Sequence, residues 1–496
     1  MVLPQKWRKR IVDAASPPRS EVDAASRRVA HGGEDAAATS AIERGGGAAS
    51  TPERGEDAAS TIRFRHFWGR TKREDLLAGK GDYQVLSPAA ELGFPFIPGH
   101  VATGYVGWPA LPELFPTSFP GVKTSRDDFL VDIDRDRLLA RLRDYFDPDV
   151  SHAAMRQLNP GVMEDTARFK GETTRDILRR RGVLPANVVR YCYRPFDVRW
   201  LYWEPEAGLL DRARGEYFPQ AFDGNVTLVA QQKPRREWQP PQSIPALGCI
   251  DLMDRSASCF PLYLRLGDST LPAFEGRRPN LSEKAMAYLS GLNAEPAALF
   301  HHALAVLHAP AYRTENAGAL RQDWPRIPLP ATHEALLHSA ELGRQVAALL
   351  DPETPVPGVT TGVVRDDLKG LAVFTRIDGG PVDPQAGDLD STAGWGHAGK
   401  GGVTMPGRGR VETVDGALDI YLNEHCCWRN VPASVWEYTI GGYPVIKKWL
   451  SYREKALLGR GLTIDEVRYV TETARRIAAL IALQRSLDEN YATAKC

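Results

Sequence analysis

The chain has 496 residues, of which 43% are hydrophobic and 25% are charged, so it can bury a core and allows about three domains of ordinary size. These values exclude wholesale disorder, a coiled coil and a collagen-like repeat for the chain as a whole. Its 62 Lys and Arg residues balance 62 Asp and Glu residues, so any site for nucleic acid or for a membrane surface must be a local patch.

The cysteines and the N-terminus show no sign of secretion or of a metal site. Six cysteines are scattered without a C-x-x-C pair or a histidine at zinc-finger spacing, which predicts core or surface thiols. No apolar run approaches the roughly 18–20 residues that cross a bilayer, and MVLPQKWRKRIVDAAS lacks the apolar block of a signal peptide. We therefore expect a cytoplasmic protein.

The first segment of the chain is repetitive. VDAAS occurs at 12–16 and again at 22–26, and the related EDAAS occurs at 56–60, with Arg, Gly and Glu between the repeats. Such a segment has few large apolar side chains, so burial cannot offset the entropy lost on ordering. This predicts a disordered low-complexity tail over residues 1–61.

Ordered structure is predicted to begin near Ile62. Residues 62–120 are rich in Pro, Phe and Trp, which indicates short irregular segments held by aromatic packing. GVKTSRDDFLVDID (121–134) predicts a glycine-started turn and then a strand in which Phe129, Val131 and Ile133 alternate. Helical spacing follows at about 135–146, and RDILRRRG (175–182) predicts a short helix that ends at Gly182.

The middle of the chain is rich in strand patterns. The segments 188–203, broken at Pro195, and 225–232, 246–254 and 260–264 are predicted strands. In the first of them Val and Tyr alternate with Arg and Cys, the period-two pattern of a half-buried strand.

The last third of the chain is mainly helical. Helices are predicted at 295–308, 333–351, about 443–455 and 464–490, the last with a capping box from Thr463 to Glu466, and a strand is predicted near 433–440. Residues 352–410 are rich in Gly, Pro and Asp, which predicts an insertion or linker. The fold class is therefore α+β, with a mixed or antiparallel sheet in the middle of the chain and packed helices after it.

The sequence contains only incomplete catalytic motifs. The glycine-rich strand-turn that binds S-adenosylmethionine and the Pro-Pro-aromatic loop of base-flipping methyltransferases are both missing. GWGHAGKG (394–401) resembles a phosphate loop but has Gly401 where Ser or Thr would hold magnesium. His301, His302 and His308 lie in a predicted helix without a nearby carboxylate, so we interpret them as helix-face residues rather than metal ligands. No catalytic and no metal-binding residue is predicted.

Basic and aromatic residues are instead interleaved along 191–203, 209–215 and 232–238. Arg contacts phosphates or guanine edges and aromatic rings stack on bases, so this mixture suits nucleic acid. The alternative interpretation is that the aromatic rings form the core while the arginines form a solvated face.

Several strings, in this order, carry a family resemblance. They are YCYRPFDVRWLYW (191–203), LLDRARG (209–215), CFPLYL (259–264), FHHALAVLHAPAYRTENAGALRQDWPRIPLP (300–330) and YTIGGYPVIKKWLSYRE (438–454), preceded by RFRHFWGRTKREDLL (63–77) and GVKTSRDDF (121–129). Together they resemble the C-terminal specificity region of type ISP restriction-modification proteins and related adenine-specific DNA methyltransferases. The likeness covers about 62 to 490 apart from 352–410. It implies a target-recognition domain with its main part at 62–351, and with residues 411–491 completing it.

The resemblance implies a function in DNA recognition. Full-length members of that family join a nuclease, a helicase-like translocase and an N6-adenine methyltransferase to a final domain that reads an asymmetric DNA site. This sequence lacks the first three parts, so the expected partners are double-stranded DNA and a methyltransferase and translocase polypeptide of the same system. No cofactor is expected on this chain, and S-adenosylmethionine is expected on the partner. Two alternatives are an active methyltransferase with an unrecognised cofactor site and a nonfunctional truncated remnant.

Within such a domain, Arg, Lys, Asn, Gln, Ser and Thr are the side chains that contact bases and phosphates. PRIPL (325–329) and GGYPVIKKWL (441–450) fit a scaffold as well as a contact surface, with Trp449 in the core. The candidate DNA-binding residues are Lys123, Thr124, Arg126, Arg194, Arg199, Arg212, Arg214, Gln231, Gln232, Lys233, Arg235, Arg236, Tyr312 and Arg313.

Overall fold

The computed structural model describes residues 62–65, 67, 69–79, 82–86, 101–235, 237–254, 256–265, 276–400 and 403–495. The tail predicted for 1–61 and the candidate Arg236 lie outside these residues. The chain divides into two compact units. In the described part of the small unit, β1 (Ile62–Phe64) pairs antiparallel with β2 (Gln84–Leu86), and α1 (Lys72–Leu77) lies between them in the chain. The large unit contains every described residue from 101 onward.

The large unit begins with several short helices and two longer helices of 12 and 11 residues. The predicted strand through Phe129 is wrong, because Asp127–Leu130 is a helical turn and only Val131–Asp132 is a strand. Asp127 and Asp128 in its first turn favour a helix start, and Phe129, Leu130 and Val131 are all buried, so no alternation is needed. The elements are α2 (Leu111–Leu114), β3 (Phe119–Pro120), α3 (Asp127–Leu130), β4 (Val131–Asp132), α4 (Arg135–Phe146), α5 (His152–Leu158), α6 (Pro160–Met163) and α7 (Gly171–Arg181). The predicted helices at 135–146 and 175–182 are confirmed, the second ending before Gly182.

Two four-stranded sheets follow, with strand orders β4-β6-β5-β9 and β3-β10-β7-β8. All neighbouring strands are antiparallel except β5 and β9, which are parallel. The predicted break at Pro195 is the turn of the β5-β6 hairpin, where Phe196 has a φ of 54°. The strands are β5 (Val188–Arg194), β6 (Asp197–Tyr202), β7 (Thr227–Ala230), β8 (Gln242–Ile244), β9 (Leu247–Gly248), β10 (Ser258–Pro261), β11 (Tyr263–Arg265) and β12 (Arg277–Pro279), the last two forming a separate pair.

Strands β7 and β8 are covered on both faces, and so is the middle of β5. In β5 the consecutive residues Tyr191, Cys192 and Tyr193 are all buried, so the predicted half-buried strand is wrong. In β7 the side chain of Val229 lies in one hydrophobic core, whereas Leu228 lies in the other. A sheet between two cores needs apolar side chains on both faces, which removes the period-two pattern. The β3-β10-β7-β8 sheet therefore separates the two cores.

The helical layer matches the sequence prediction closely. The predicted helices at 295–308, 333–351 and 464–490 are Pro296–His308, His333–Leu350 and Ile464–Ala494. The capping box is present, with Thr463 Oγ1 accepting from the Glu466 amide at 3.1 Å and Glu466 accepting from the Thr463 amide at 2.9 Å. Among the helices of the described residues, none is both long and apolar enough to cross a membrane. The helices here are α8 (Glu283–Leu292), α9 (Pro296–His308), α10 (Pro310–Glu315), α11 (Ala317–Leu320) and α12 (His333–Leu350).

Residues 352–410, predicted to be an insertion or linker, include an edge strand and a buried tryptophan. Strand β13 pairs with β18 in a sheet of order β13-β18-β17-β16. Trp395 is fully buried, its indole donates to the Tyr421 carbonyl at 2.8 Å, and its amide donates to Glu454 at 2.7 Å. These contacts are long-range, so composition alone does not reveal them. The elements are α13 (Asp366–Lys369), β13 (Val373–Arg376), β14 (Gly396–Ala398), β15 (Thr404–Pro406), β16 (Val411–Val414), β17 (Ala417–Tyr421) and β18 (Cys426–Val431).

The C-terminal segment contains one more departure from prediction. The strand predicted near 433–440 is mostly helical, because Pro432 precedes a helical turn at Ala433–Trp436 and only Thr439–Ile440 is extended. The elements are α14 (Ala433–Trp436), β19 (Thr439–Ile440), β20 (Tyr443–Pro444), α15 (Val445–Ser451), α16 (Lys455–Leu458) and α17 (Ile464–Ala494). Antiparallel sheets in the middle of the chain with packed helices after them confirm the α+β class.

A buried ionic trio joins the β5-β6 hairpin to the C-terminal segment. Asp197, only 1% exposed, accepts from Arg199 at 2.6 Å and from Arg453 at 3.0 Å. Burial by itself would raise the pKa of Asp197, but the two guanidinium groups outweigh it and lower that pKa to about 2. Tyr469 also donates to the carbonyl of Phe196 at 2.8 Å. The hairpin is therefore fixed by residues from far along the chain.

This lowered pKa predicts a stability change at acid pH. The folded pKa of Asp197 lies below its usual value of ~3.9, so its contribution is present above about pH 4 and is lost as the pH falls toward 2. The expected loss is about 2 kcal/mol of the free energy of unfolding. The measurement is urea unfolding of the unaltered and Asp197→Asn proteins at several pH values. The difference between them gives the contribution of Asp197, separate from that of the other carboxylates. Equal pH dependence in both proteins would show that the trio contributes nothing to acid sensitivity.

Candidate nucleic-acid interface

Two loops that contain five of the candidate residues lie side by side. Residues 121–126 and 208–214, called the paired loops below, meet where Lys123 and Arg212 exchange backbone hydrogen bonds of 3.2 and 2.9 Å. Arg126 donates to the Leu209 carbonyl at 2.7 Å, and its guanidinium lies 3.3 Å from the ring centre of Phe169. The two loops therefore form one surface with a backbone fixed by hydrogen bonds.

The candidates on the paired loops divide into scaffold and surface residues. Thr124 and Arg126 are buried, so they hold the loops rather than face solvent. The side chains of Lys123 and Arg212 are 48% and 52% exposed. Arg214 is half-buried, has a left-handed φ of 56° and donates to the Gly121 carbonyl at 3.4 Å. The paired loops thus present two exposed cations and a third that is partly covered.

The 231–235 loop follows β7 and contains the next group of candidates. Gln231 is buried and donates to the Asp254 carbonyl at 2.6 Å, whereas exposed Gln232 donates to Asp323 at 2.8 Å. Lys233 and Arg235 are exposed. This loop therefore offers two cations and one surface amide.

The strand directions place the paired loops and the 231–235 loop at one end of a sheet. Strands β3 and β7 both pair antiparallel with β10, with Pro120 opposite Ser258 and Ser258 opposite Ala230. They therefore run in the same direction, and the segments that follow Pro120 and Ala230 leave the sheet at the same end. We call this the loop end of the sheet. Among the residues that the structure describes, its exposed cations are Lys123, Arg212, Lys233 and Arg235.

The two candidates on the β5-β6 hairpin are mainly structural. Arg199 is buried in the trio with Asp197 and Arg453. The guanidinium of half-buried Arg194 lies 4.2 and 5.5 Å from the ring centres of Tyr193 and Tyr443. It also donates to the Tyr193 carbonyl at 2.6 Å. Arg199 therefore faces the interior, whereas part of Arg194 reaches the surface.

The last two candidates separate in the same way. Tyr312 is fully buried, donates to the Arg326 carbonyl at 2.8 Å and packs against the rings of Tyr105 and Tyr491. Arg313, the next residue on α10, is exposed. The fold thus brings Tyr312 into the helical core and leaves Arg313 on a helix that belongs to neither loop group.

The incomplete catalytic motifs have structural roles in the described residues. Buried His302 is bonded to the Ser339 hydroxyl and the Pro328 carbonyl, both at 2.7 Å, and burial lowers its pKa to about 4. His308 is bonded to the Pro241 carbonyl at 2.8 Å. In the described part of the glycine-rich segment, Gly396–Ala398 is strand β14 and pairs with β15, whereas a phosphate loop connects a strand to a helix. Within the described ranges, no cluster of three His, Cys, Asp or Glu residues could hold a metal ion.

Asp211, which directly precedes the two arginines of LLDRARG, is not among the residues that the sequence predicts. Its carboxylate accepts from Lys123 Nζ at 2.8 Å and from the Ser125 hydroxyl at 2.9 Å. The hydrogen bond from Lys123 is the largest factor that lowers the pKa of Asp211, so the carboxylate is ionised at neutral pH. Only the fold shows the pairing, because the two loops are far apart in the sequence.

A family model described as the Type ISP C-terminal specificity domain matches residues 113–480, which include the paired loops and the 231–235 loop. No curated protein matches the chain.

Solved structures resemble the chain at low sequence identity. The DrdV-DNA complex, determined by cryo-electron microscopy, is 19% identical with a TM-score of 0.56, covering 84% of this chain and 42% of that chain. A nuclease-deletion mutant of the Type ISP restriction-modification enzyme LlaGI, in complex with a DNA substrate mimic, is 16% identical with a TM-score of 0.53. That match covers 88% of this chain and 39% of that chain. The ATP-dependent Type ISP restriction-modification enzyme LlaBIII bound to DNA is 15% identical with a TM-score of 0.55, and the match covers 82% of this chain and 25% of that chain. The chain shares part of their fold and spans less than half the length of each.

Proposed function

Because this chain belongs to the family of the Type ISP C-terminal specificity domain, we propose that it recognises a DNA sequence for a type ISP restriction-modification system. The observation that carries the proposal is the loop end of the sheet, where exposed Lys123 and Arg212 are joined by backbone hydrogen bonds and Lys233 and Arg235 are also exposed, all four inside the matched residues. Fixed cations suit phosphates at defined positions, which set the register on a duplex. Sequence discrimination then requires side chains that reach base edges.

The exposed side chains suggest two roles, contact with phosphates and contact with a base edge. Lys123, Arg212, Lys233 and Arg235 would contact phosphates, because each carries a full charge at the surface. Gln232 would contact an adenine edge, since its amide both donates and accepts and its present partner, Asp323, lies at the surface. Buried Thr124, Arg126 and Gln231 would hold these loops in place, whereas buried Arg199 and Tyr312 belong to the hairpin and to the helical core.

The partner in this proposal supplies the chemistry. Methyl transfer, with its S-adenosylmethionine, and translocation would belong to a methyltransferase and translocase polypeptide of the same system. The support is that the related solved chains are more than twice as long as the part this chain matches. This chain would contribute the choice of DNA site.

Replacing Lys233 and Arg235 together with Ala is expected to weaken binding to duplex DNA by about tenfold at ~100 mM salt. It should also reduce the dependence of log affinity on log salt by about 2, because two phosphate contacts release fewer counterions. The measurement is fluorescence anisotropy with a duplex that the unaltered chain has enriched from a random pool.

The matched control is the Arg468→Ala and Arg485→Ala double variant, which removes two exposed cations from α17. It should leave the salt dependence unchanged. An equal loss of DNA affinity in both double variants would show that net charge causes the effect, and would reject a DNA contact by the 231–235 loop. Failure to enrich any duplex, alone or with a type ISP methyltransferase present, would reject the proposed function itself.

A further inference from the structure

Three donors of the paired loops converge on Asp211. Lys123 Nζ lies 2.8 Å from its carboxylate, the Ser125 hydroxyl donates at 2.9 Å, and Arg212 Nε lies at 3.8 Å. The carboxylate is 28% exposed, so solvent reaches the site where these groups meet. Phosphates are bound by the same groups that surround this carboxylate, namely an ammonium, a hydroxyl and a guanidinium.

The carboxylate is not required to hold the paired loops together. Lys123 and Arg212 are joined through their backbones, and Arg126 donates to the carbonyls of Leu209 and Gly208 at 2.7 and 3.4 Å. These bonds do not involve the Asp211 side chain. An exposed ion pair such as Lys123 with Asp211 contributes little to stability, about 0–1 kcal/mol. Its main physical effect is therefore on the charge that the surface presents.

We propose that Asp211 is a built-in competitor for phosphate on the paired loops, and that it limits nonspecific binding to DNA. This inference rests on the proposed function. When a duplex docks, a phosphate must take Lys123 and Arg212 from the carboxylate while Asp211 repels it. A DNA site with matching base contacts compensates for that repulsion, whereas random sequence does not. Asp211 thereby widens the difference in affinity between the target and other DNA.

The test is the Asp211→Asn protein, in which the amide still accepts from Ser125 but the negative charge is gone. It should bind a random-sequence duplex about three- to tenfold more tightly than the unaltered chain at ~100 mM salt. Its affinity for the enriched duplex should rise less, so the ratio of the two affinities should fall. Asp366→Asn is the matched control, because exposed Asp366 also pairs with a lysine, Lys369. It should change neither affinity.

A double-mutant cycle separates competition from a structural role. If Asp211 competes for Lys123, the gain from Asp211→Asn should largely disappear when Lys123→Gln is also present. Asp211→Ser, a smaller neutral replacement, should reproduce the gain if the Asn protein is poorly folded. Unchanged or weaker binding to random duplex by folded neutral variants would overturn the inference alone. Absence of DNA binding by the unaltered chain would overturn both this inference and the proposed function.

Discussion

Replacing Asp197 with Asn is expected to lower the free energy of unfolding by about 3–5 kcal/mol. The side chain is buried between Arg199 and Arg453, with hydrogen bonds of 2.6 and 3.0 Å. The neutral amide leaves two guanidinium groups in the interior without an opposite charge, and desolvation then acts against the folded state. Urea unfolding at neutral pH, followed by tryptophan fluorescence, measures the change.

Asp465→Asn is the control for the loss of one carboxylate. Asp465 pairs with Arg468 at 2.7 Å, but its side chain is 83% exposed, so the expected change is below about 1 kcal/mol. Equal destabilisation by the two substitutions would show that burial of the trio has no special effect. An unchanged free energy of unfolding in the Asp197→Asn protein would contradict the argument outright.

Replacing Gly343 with Ala is expected to destabilise the protein by about 3 kcal/mol. Gly343 lies on α12 where this helix meets α9, and an added Cβ would overlap the backbone carbonyl of His301. Backbone cannot move aside as a flexible side chain does, so the two helices would have to separate and lose packing on both sides. Thermal and urea unfolding measure the effect.

Gly291→Ala provides the control within the same helical layer. Gly291 lies on α8, where an added Cβ meets open space. Ala favours a helix over Gly, so this change should stabilise the protein by about 0.5–1 kcal/mol. The opposite signs expected for the two substitutions distinguish helix contact from helix propensity. A stabilising effect at Gly343 would mean that α9 and α12 do not pack as closely as the structure shows.

The sequence predicts the helices well because their signals are local. The capping box at Thr463 and Glu466 fixes the start of α17 within a few residues, and Gly182 marks the end of α7. The predicted break at Pro195, which is the turn of the β5-β6 hairpin in the structure, rests on the same kind of local signal. These features depend on neighbours in the chain, so sequence patterns are sufficient for them.

Burial and long-range contacts could not be predicted, because local sequence patterns do not reveal them. Arg199 and Tyr312 fit the basic and aromatic pattern of a nucleic-acid surface, yet both are buried, because the same residue types also build charged cores and aromatic clusters. The pairing of Lys123 with Arg212 depends on two loops meeting in space. Trp395 lies in a glycine-rich segment whose composition predicts a linker, while its partner Glu454 comes from the end of the chain.

The ionic trio also governs how relatives could exchange segments. Asp197 comes from the β5-β6 hairpin, in which the Tyr191 hydroxyl donates to the Val122 carbonyl of the paired loops, whereas Arg453 lies between α15 and α16. A hybrid that took its loops from one relative and its C-terminal helices from another would inherit the carboxylate and its counter-ion from different parents. Where the two parents differ at either position, a stable hybrid therefore needs both residues from the same parent, or uncharged residues that fit at both positions.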